Sequence, residues 1–414
     1  MNSFDYKNHA LYAEDVSVSA IVESFGTPAY IYSKQAITSA FNAYFNAARE
    51  NDLICYAVKA NANIAVLNLL AKLGAGFDIV SVGELERVIA AGGDPAKVVF
   101  SGVAKKSSEI ARALEVGIHC FNVESEAELE RIQHVAEKHD VKAPISLRVN
   151  PDVDAKTHPY ISTGLKENKF GIHIDQVLDV YAKAQAMPNL VIKGIDCHIG
   201  SQIIDPTPFI DALKRLLPVI EQLKDMGIAL SHIDLGGGIG VQYDDETPPD
   251  VGAYIQKVTS VIEPLGLGLI LEPGRSIVAN AGILVTEVEY LKDNGEKHFA
   301  IVDAAMNDLL RPALYQSWMR IEEVEKKAGS AKDYDIVGPV CETGDFLGKH
   351  RSLVIESGDL LSVFSAGAYG FGMASNYNSR PKACEILVDG DQMHEIRRRE
   401  SFSDLIAHEI LLTE

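Results

Sequence analysis

The sequence predicts an α/β fold: a (β/α)8 TIM barrel over residues 31–280, and a mainly β domain, sandwich or barrel, built from residues 281–414 together with residues 1–30. Two observations carry the barrel. Eight short apolar runs rich in Val, Ile and Leu recur between residues 53 and 275, each followed by Gly or a polar corner. Most are then followed by a stretch with helical apolar spacing. Strands apolar on both faces that alternate with helices indicate parallel βαβ units, and eight of them suit a closed barrel better than an open sheet. A change of texture after about residue 281, to strand-like runs separated by tight turns, carries the second domain.

In chain order, VSVSAIVES and PAYIYS precede the first barrel strand and are expected to pack with the β domain. The barrel runs are ICYAVKA (54–60), FDIVS (77–81), KVVFSG (97–102), HCFNVES (119–125), ISLRVN (145–150), IKGIDCHIG (192–200), HIDLGGG (232–238) and LGLILEPG (267–274). Between them, NIAVLNLLAKLGA and SEAELERIQHVAEKH read as amphipathic helices, and Ser125 and Glu128 have capping-box spacing. Beyond the barrel, ILVTEVEYLKD, HFAIVDA, DYDIVGP and DLLSVFSAG read as strands, with turns at DNGE (293–296) and ESGD (356–359). One helix is expected in this region, around Ile321–Ala328.

Composition narrows the function. With 414 residues, 47% hydrophobic and 23% charged, the chain can bury a large core. Lys plus Arg number 38 against 58 Asp plus Glu, for a net charge of −20, which argues against nucleic acid or an anionic membrane as partner. No apolar run approaches the roughly 18 residues of a spanning helix. The first residues carry Asp5, Glu14 and Asp15 and no apolar core, so no secretory signal is expected. The five cysteines, Cys55, Cys120, Cys197, Cys341 and Cys384, contain no CxxC pair, and a reduced, cytoplasmic protein is expected.

Polar residues gather where strand ends build a barrel's active site. Lys59 closes the first run, Asp78 lies within the second, His198 ends the sixth, a triple glycine ends the seventh and Glu272 ends the eighth. Lys59 is either a snorkelling lysine or an amine that forms a Schiff base. The glycines of DLGGGIG (234–240) suit a phosphate-binding corner or an ordinary barrel turn. Glu272 follows an apolar run, where a carboxylate needs a partner: Arg275, or the ring nitrogen of a pyridine cofactor. His198 is either a ring-stacking platform or a satisfied core histidine. No ligand cluster of metal-binding spacing accompanies it, and no metal is expected.

Taken with YAVKAN (56–61), FDIVSVGEL (77–85), FNVES (121–125), RVNPDVDAKTHPYISTG (148–164), KFGI (169–172), HIGSQ (198–202), LGGGIG (235–240), EPGR (272–275), RPALY (311–315), GPVCETGD (338–345) and AGAYGF (366–371), these residues carry a resemblance over essentially the whole chain. The sequence resembles the alanine-racemase-like, fold-type III pyridoxal-phosphate decarboxylases, and among them the diaminopimelate decarboxylases. The resemblance implies pyridoxal 5'-phosphate as cofactor, with Lys59 carrying it and Asp78 close by. It implies His198 stacked on the ring and Glu272 at the ring nitrogen. Ser201, Gly237, Gly238, Gly274 and Arg275 would surround the phosphate, with Tyr369 from the β domain. Arg275, Arg311 and Tyr315 would hold the distal carboxylate of the substrate, with Tyr369 also on the substrate side. Cys341 and Glu342 would enter from the partner subunit of a homodimer, Cys341 as proton donor and Glu342 as a substrate contact. Family members often read CESGD where this chain has CETGD, and Thr343 keeps the hydroxyl.

The activity implied is decarboxylation of meso-2,6-diaminopimelate to L-lysine and CO2, the last step of lysine biosynthesis. Arg311 and Tyr315 suit a second carboxylate better than the amine end of ornithine, arginine or lysine, the alternative substrates. A non-catalytic regulator on the same fold would be expected to lack Lys59 or Cys341, and both are present.

Overall fold

A computed structural model describes residues 4–153 and 169–412. Residues 154–164 of the RVNPDVDAKTHPYISTG motif therefore lie outside the described residues. The chain divides into two compact units. One comprises Ala40–Val241 and Thr247–Ser276; the other comprises Met1–Ser39, Gln242–Glu246 and Ile277–Glu414. The borders expected at residues 31 and 280 move inward because main-chain bonds decide them. Ser33 N–H donates to the Ala281 carbonyl and Gly367 N–H to the Ala279 carbonyl, so both segments go with the β unit.

The first unit is a closed parallel barrel. Its strands are β1 (Leu53–Ala57), β2 (Gly76–Ile79), β3 (Val98–Phe100), β4 (Cys120–Val123), β5 (Ala143–Asn150), β6 (Leu190–Asp196), β7 (His232–Asp234) and β8 (Gly268–Leu271). Each pairs in parallel with the next, and β8 returns to β1. All eight expected runs are strands, and all but Ala143–Asn150 are shorter than the apolar run that announced them. The polar tails that follow, such as Cys197–Gly200 and Leu235–Gly238, are loop. That shortening puts the chemistry-bearing residues on corners just past the strand ends.

Helices Ile64–Lys72 and Glu126–Lys138 form where apolar spacing placed them. Asn63 Oδ1 accepts from Ala65 N–H and Ser125 Oγ from Glu128 N–H, each satisfying a donor the helix itself leaves unpaired. The capping box at Ser125 is only half made. The Glu128 carboxylate instead accepts from Glu124 N–H at 3.1 Å and pairs with buried Lys105 at 2.6 Å.

The second unit is mainly β. Its sheet runs, in order, through Phe346–Leu353, Lys332–Val337, His298–Val302, Gly282–Asp293, Ala29–Ser33, Cys384–Asp389 and Gln392–Arg397. Residues 29–33 thus sit between two strands from the far end of the chain. The helix expected at Ile321–Ala328 is absent. Ile321–Glu323 is a strand antiparallel to Leu361–Val363, and Val324 N–H donates to Leu360 C=O. The Glu/Lys-rich text is helical by propensity, but Ile321 and Val324 are buried and edge pairing overrides it. The short helix of the region is Arg311–Tyr315 instead.

Candidate active site

At or just past the C-terminal ends of β1, β2, β6, β7 and β8 the barrel gathers nine of the expected residues, with Asp78 still inside β2. Lys59 lies two residues past β1, in the single 3-10 turn Val58–Ala60. That turn is pinned because Tyr56 O–H donates to Asn61 C=O at 3.0 Å, and Ala57 N–H to Pro273 C=O at 3.0 Å. Lys59 Nζ reaches Asp78 Oδ2 at 2.6 Å. The Asp78 side chain is completely buried, while that of Lys59 is 36% exposed, so the amine faces the open side of the pair. Asp78 Oδ1 has no hydrogen-bond partner among the described residues.

The glycine corner is dictated by close packing. A Cβ on Gly237 would lie 2.2 Å from the Glu272 carbonyl oxygen, and one on Gly238 would lie 2.4 Å from the Gly200 carbonyl oxygen. Gly238 also has φ +113, which side chains disfavour. Glu272 N–H donates to Gly236 C=O at 2.8 Å, locking the β7 corner to the end of β8. Gly237 N–H donates to His198 Nδ1 at 3.3 Å, which leaves the ring proton on Nε2. Burial, with Arg148 and Lys59 nearby, holds the His198 imidazole far below its ordinary 6.5, so it is neutral at pH 7. Arg275 meets Ser201 Oγ at 3.1 Å, and a Cβ on Gly274 would press on Ala57 and Ala60 at 3.0 Å.

Glu272 does more than its position in the sequence suggests. It is buried, with Oε1 3.3 Å from Asn122 Nδ2 and 3.5 Å from Ser101 Oγ. Asn122 Nδ2 also reaches Asp234 Oδ2 at 3.3 Å, and Asp234 Oδ1 accepts from Gly236 N–H at 2.8 Å. Asp196, its Oδ1 unpartnered among the described residues, completes a group of buried carboxylates with Asp78, Asp234 and Glu272. Burial first, and mutual repulsion second, pushes Glu272 far above the carboxylate range. The same causes raise Asp196, and burial lifts Asp234 to about 6. Buried Arg148, 2.7 Å from Glu124 and 4.0 Å from Asp196, supplies fixed positive charge. Sequence reading missed Asp196, Asp234, Arg148 and Asn122. The signal was available, since Asn122 and Arg148 lie within buried strands and Asp196 and Asp234 close theirs, each a polar group that burial makes costly.

In the β unit, Arg311 opens its short helix and is buried. Its guanidinium lies 5.4 Å from the Tyr243 ring and 5.5 Å from the Tyr315 ring, and its Nη2 reaches Ser317 Oγ at 3.4 Å. It is a caged cation rather than a surface charge. Cys341 and Glu342 share an exposed loop, anchored where buried Asp345 accepts from Val340 N–H at 2.8 Å and Met306 N–H at 2.7 Å. Glu342 Oε1 accepts from Tyr377 O–H at 2.6 Å. The other four cysteines are buried and unpaired. Tyr369 holds a left-handed φ of +54.

A parallel barrel with an amine, a glycine corner and a buried acid at its strand ends is the architecture of a cofactor-dependent barrel enzyme. Residues 34–279 match the family model for the pyridoxal binding domain of pyridoxal-dependent decarboxylases. Over 413 residues the chain is 60% identical to the diaminopimelate decarboxylase of Pseudomonas aeruginosa, covering 100% of both chains. The diaminopimelate decarboxylase of Helicobacter pylori, solved with L-lysine, shares 44% identity at a TM-score of 0.91, over 94% of this chain and 98% of that one. The M. jannaschii enzyme, also solved with L-lysine, shares 36% at a TM-score of 0.94, over 99% of this chain and 98% of that one. The chain belongs to the diaminopimelate decarboxylase family of pyridoxal-dependent decarboxylases.

Proposed function

We propose that the chain releases CO2 from meso-2,6-diaminopimelate to leave L-lysine, using pyridoxal 5'-phosphate held at the C-terminal end of the barrel. The observation that carries this reading is the Lys59–Asp78 pair beside the buried acid Glu272. The residues fit the cofactor. An amine is held on a rigid turn, the orphaned Asp78 and Asp196 oxygens mark a pocket that needs a cation, and the glycine corner lets backbone approach a phosphate. When bound, the cofactor supplies an electron sink for the pair left by the broken Cα–carboxylate bond.

Each residue then has a task. Lys59 supplies the amine that holds the cofactor. Neutral His198, fixed by Gly237, would offer its flat face to the cofactor ring. Burial, with neighbouring carboxylates, favours the protonated form of Glu272. With the cofactor bound, Glu272 would face the ring nitrogen, and its carboxylate would balance a protonated ring. Ser201, Gly237, Gly238, Gly274 and Arg275 surround the phosphate, with Tyr369. Arg275, Arg311 and Tyr315 hold the distal carboxylate, so only one end of a nearly symmetric substrate reaches the reacting position. We further propose a homodimer in which the partner's Cys341 donates the proton to Cα and the partner's Glu342 touches the substrate. Its compartment is the cytoplasm, in keeping with five unpaired thiols. Among the described residues no helix is long and apolar enough to cross a membrane.

The test is an assay of lysine and CO2 from meso-diaminopimelate with ornithine and arginine as competitors, alongside borohydride reduction of the purified protein. Faster turnover of ornithine would overturn the pocket assignment. A protein that cannot be loaded with pyridoxal phosphate, or that borohydride does not label on Lys59, would favour a regulator.

A further inference from the structure

The N-terminal ends of the barrel strands hold a second chemical cluster, at the end opposite the site above. His119 immediately precedes β4, Cys120 opens β4, and His232 opens β7. One ligand atom from each lies within 4.8 Å of the others. The two imidazole rings stand 5.4 Å apart, tilted by 45°.

The surroundings look built for these side chains. His232 is only 6% exposed, and its Nε2 makes no hydrogen bond among the described residues. A buried ring nitrogen without a partner is costly, and a metal ion would give it one. The ring fits because its neighbour across the β6–β7 register is Gly194, where a Cβ would lie 2.2 Å from Nε2. Cys120 is buried with Cys55, Val99 and Ile270, and its Sγ lies 3.9 Å from Asn122 Oδ1. His119 is half-buried and lines a cavity with Asn51, Asp52, Gly74, Ala96 and Lys97, which provides a route from solvent.

We propose that His119, Cys120 and His232 form a binding site for a divalent transition-metal ion of the zinc type at the N-terminal end of the barrel. Two neutral imidazoles and one thiolate are a borderline-soft donor set, and three protein ligands leave one tetrahedral position for water. Binding forms one metal–sulfur bond and breaks the Cys120 S–H bond, and the proton leaves to buffer. The ion ties the start of β4 to the start of β7, so its role is to clamp the barrel floor. Sequence spacing hides the site because residues 119–120 and 232 are far apart along the chain, and only barrel closure unites them.

The test uses the loaded, full-length enzyme stripped with chelator and then titrated with Zn2+ alone. Wild type should retain one equivalent through gel filtration and melt at a higher temperature with zinc than without. His119→Ala and Cys120→Ser should each weaken binding at least about tenfold and lose the thermal shift, while turnover of diaminopimelate by His119→Ala stays at the wild-type level. Co2+ in place of Zn2+ should give the intense visible bands of a tetrahedral site in wild type and lose them in Cys120→Ser. Failure of wild type to retain zinc, or equal retention by both variants, overturns the proposal. Should Cys120→Ser melt far below wild type without metal, His119→Ala, altered at the rim, decides the outcome alone. The activity assay is read separately, so failure here leaves the decarboxylase reading standing.

Discussion

Replacing Glu272 by Gln keeps shape and burial while removing the one property the cofactor needs from that position, a charge that can balance a protonated ring nitrogen. The size of the loss follows from the surroundings. Glu272 is 6% exposed and its polar neighbours within the barrel are Asn122, Ser101 and Asp234, so solvent screens it weakly. Opposite charges about 4 Å apart at an effective dielectric of about 20 attract by about 4 kcal/mol. A neutral amide keeps about 1 kcal/mol of that as an ordinary hydrogen bond. The difference of about 3 kcal/mol predicts a fall in kcat of about a hundredfold. Cofactor-free stability should change little, because burial already keeps Glu272 uncharged and the amide replaces a neutral carboxyl. The assay is CO2 release at saturating diaminopimelate on protein whose cofactor content is verified by absorbance. A kcat within about threefold of wild type at full cofactor content would remove Glu272 from the ring nitrogen.

Three further outcomes are expected. Gly237→Ala drives a methyl to within 2.2 Å of the Glu272 carbonyl oxygen, so the corner must retreat. It should cost about 1–3 kcal/mol and release cofactor, read by melting and absorbance, and wild-type values of both would refute the packing argument. Asp308 is buried, and burial raises it from 3.8 to about 6. A carboxyl raised in the fold gives its full stabilisation below pH ~4 and loses it as pH rises through about 6, by up to about 3 kcal/mol. Asp308→Asn should therefore flatten the stability profile between those pH values in chemical denaturation, and profiles parallel to wild type would contradict it. Mixing Lys59→Ala and Cys341→Ala subunits with exchange should yield about half heterodimers, each with one intact site, and so about a quarter of wild-type activity. Activity no higher than that of the separate mutants after confirmed exchange would refute the shared site.

Barrel and site were legible in the sequence to different depths. Strand runs such as ISLRVN and HIDLGGG declared themselves because a parallel strand is buried on both faces, which leaves an apolar signature no tertiary detail can erase. Lys59, His198, the glycines and Glu272 stood out for the complementary reason, as polar or bare positions at the ends of those runs. Ile321–Glu323 was misread because its charged text favours a helix and only its partner Leu361–Val363 makes it a strand.

What the sequence determined by itself was the alternation of strand and helix and the residue types at each corner, both local properties carried by neighbours in the chain. What only the tertiary structure decided was which corners meet. Asp78 faces Lys59 because β1 and β2 are adjacent. Asn122 bridges Asp234 and Glu272 because closure sets β4, β7 and β8 around one interior. The raised protonation of Asp196, Asp234 and Glu272 exists only once their strands enclose them. Burial and mutual repulsion depend on distance in space, and separation along the chain does not encode it.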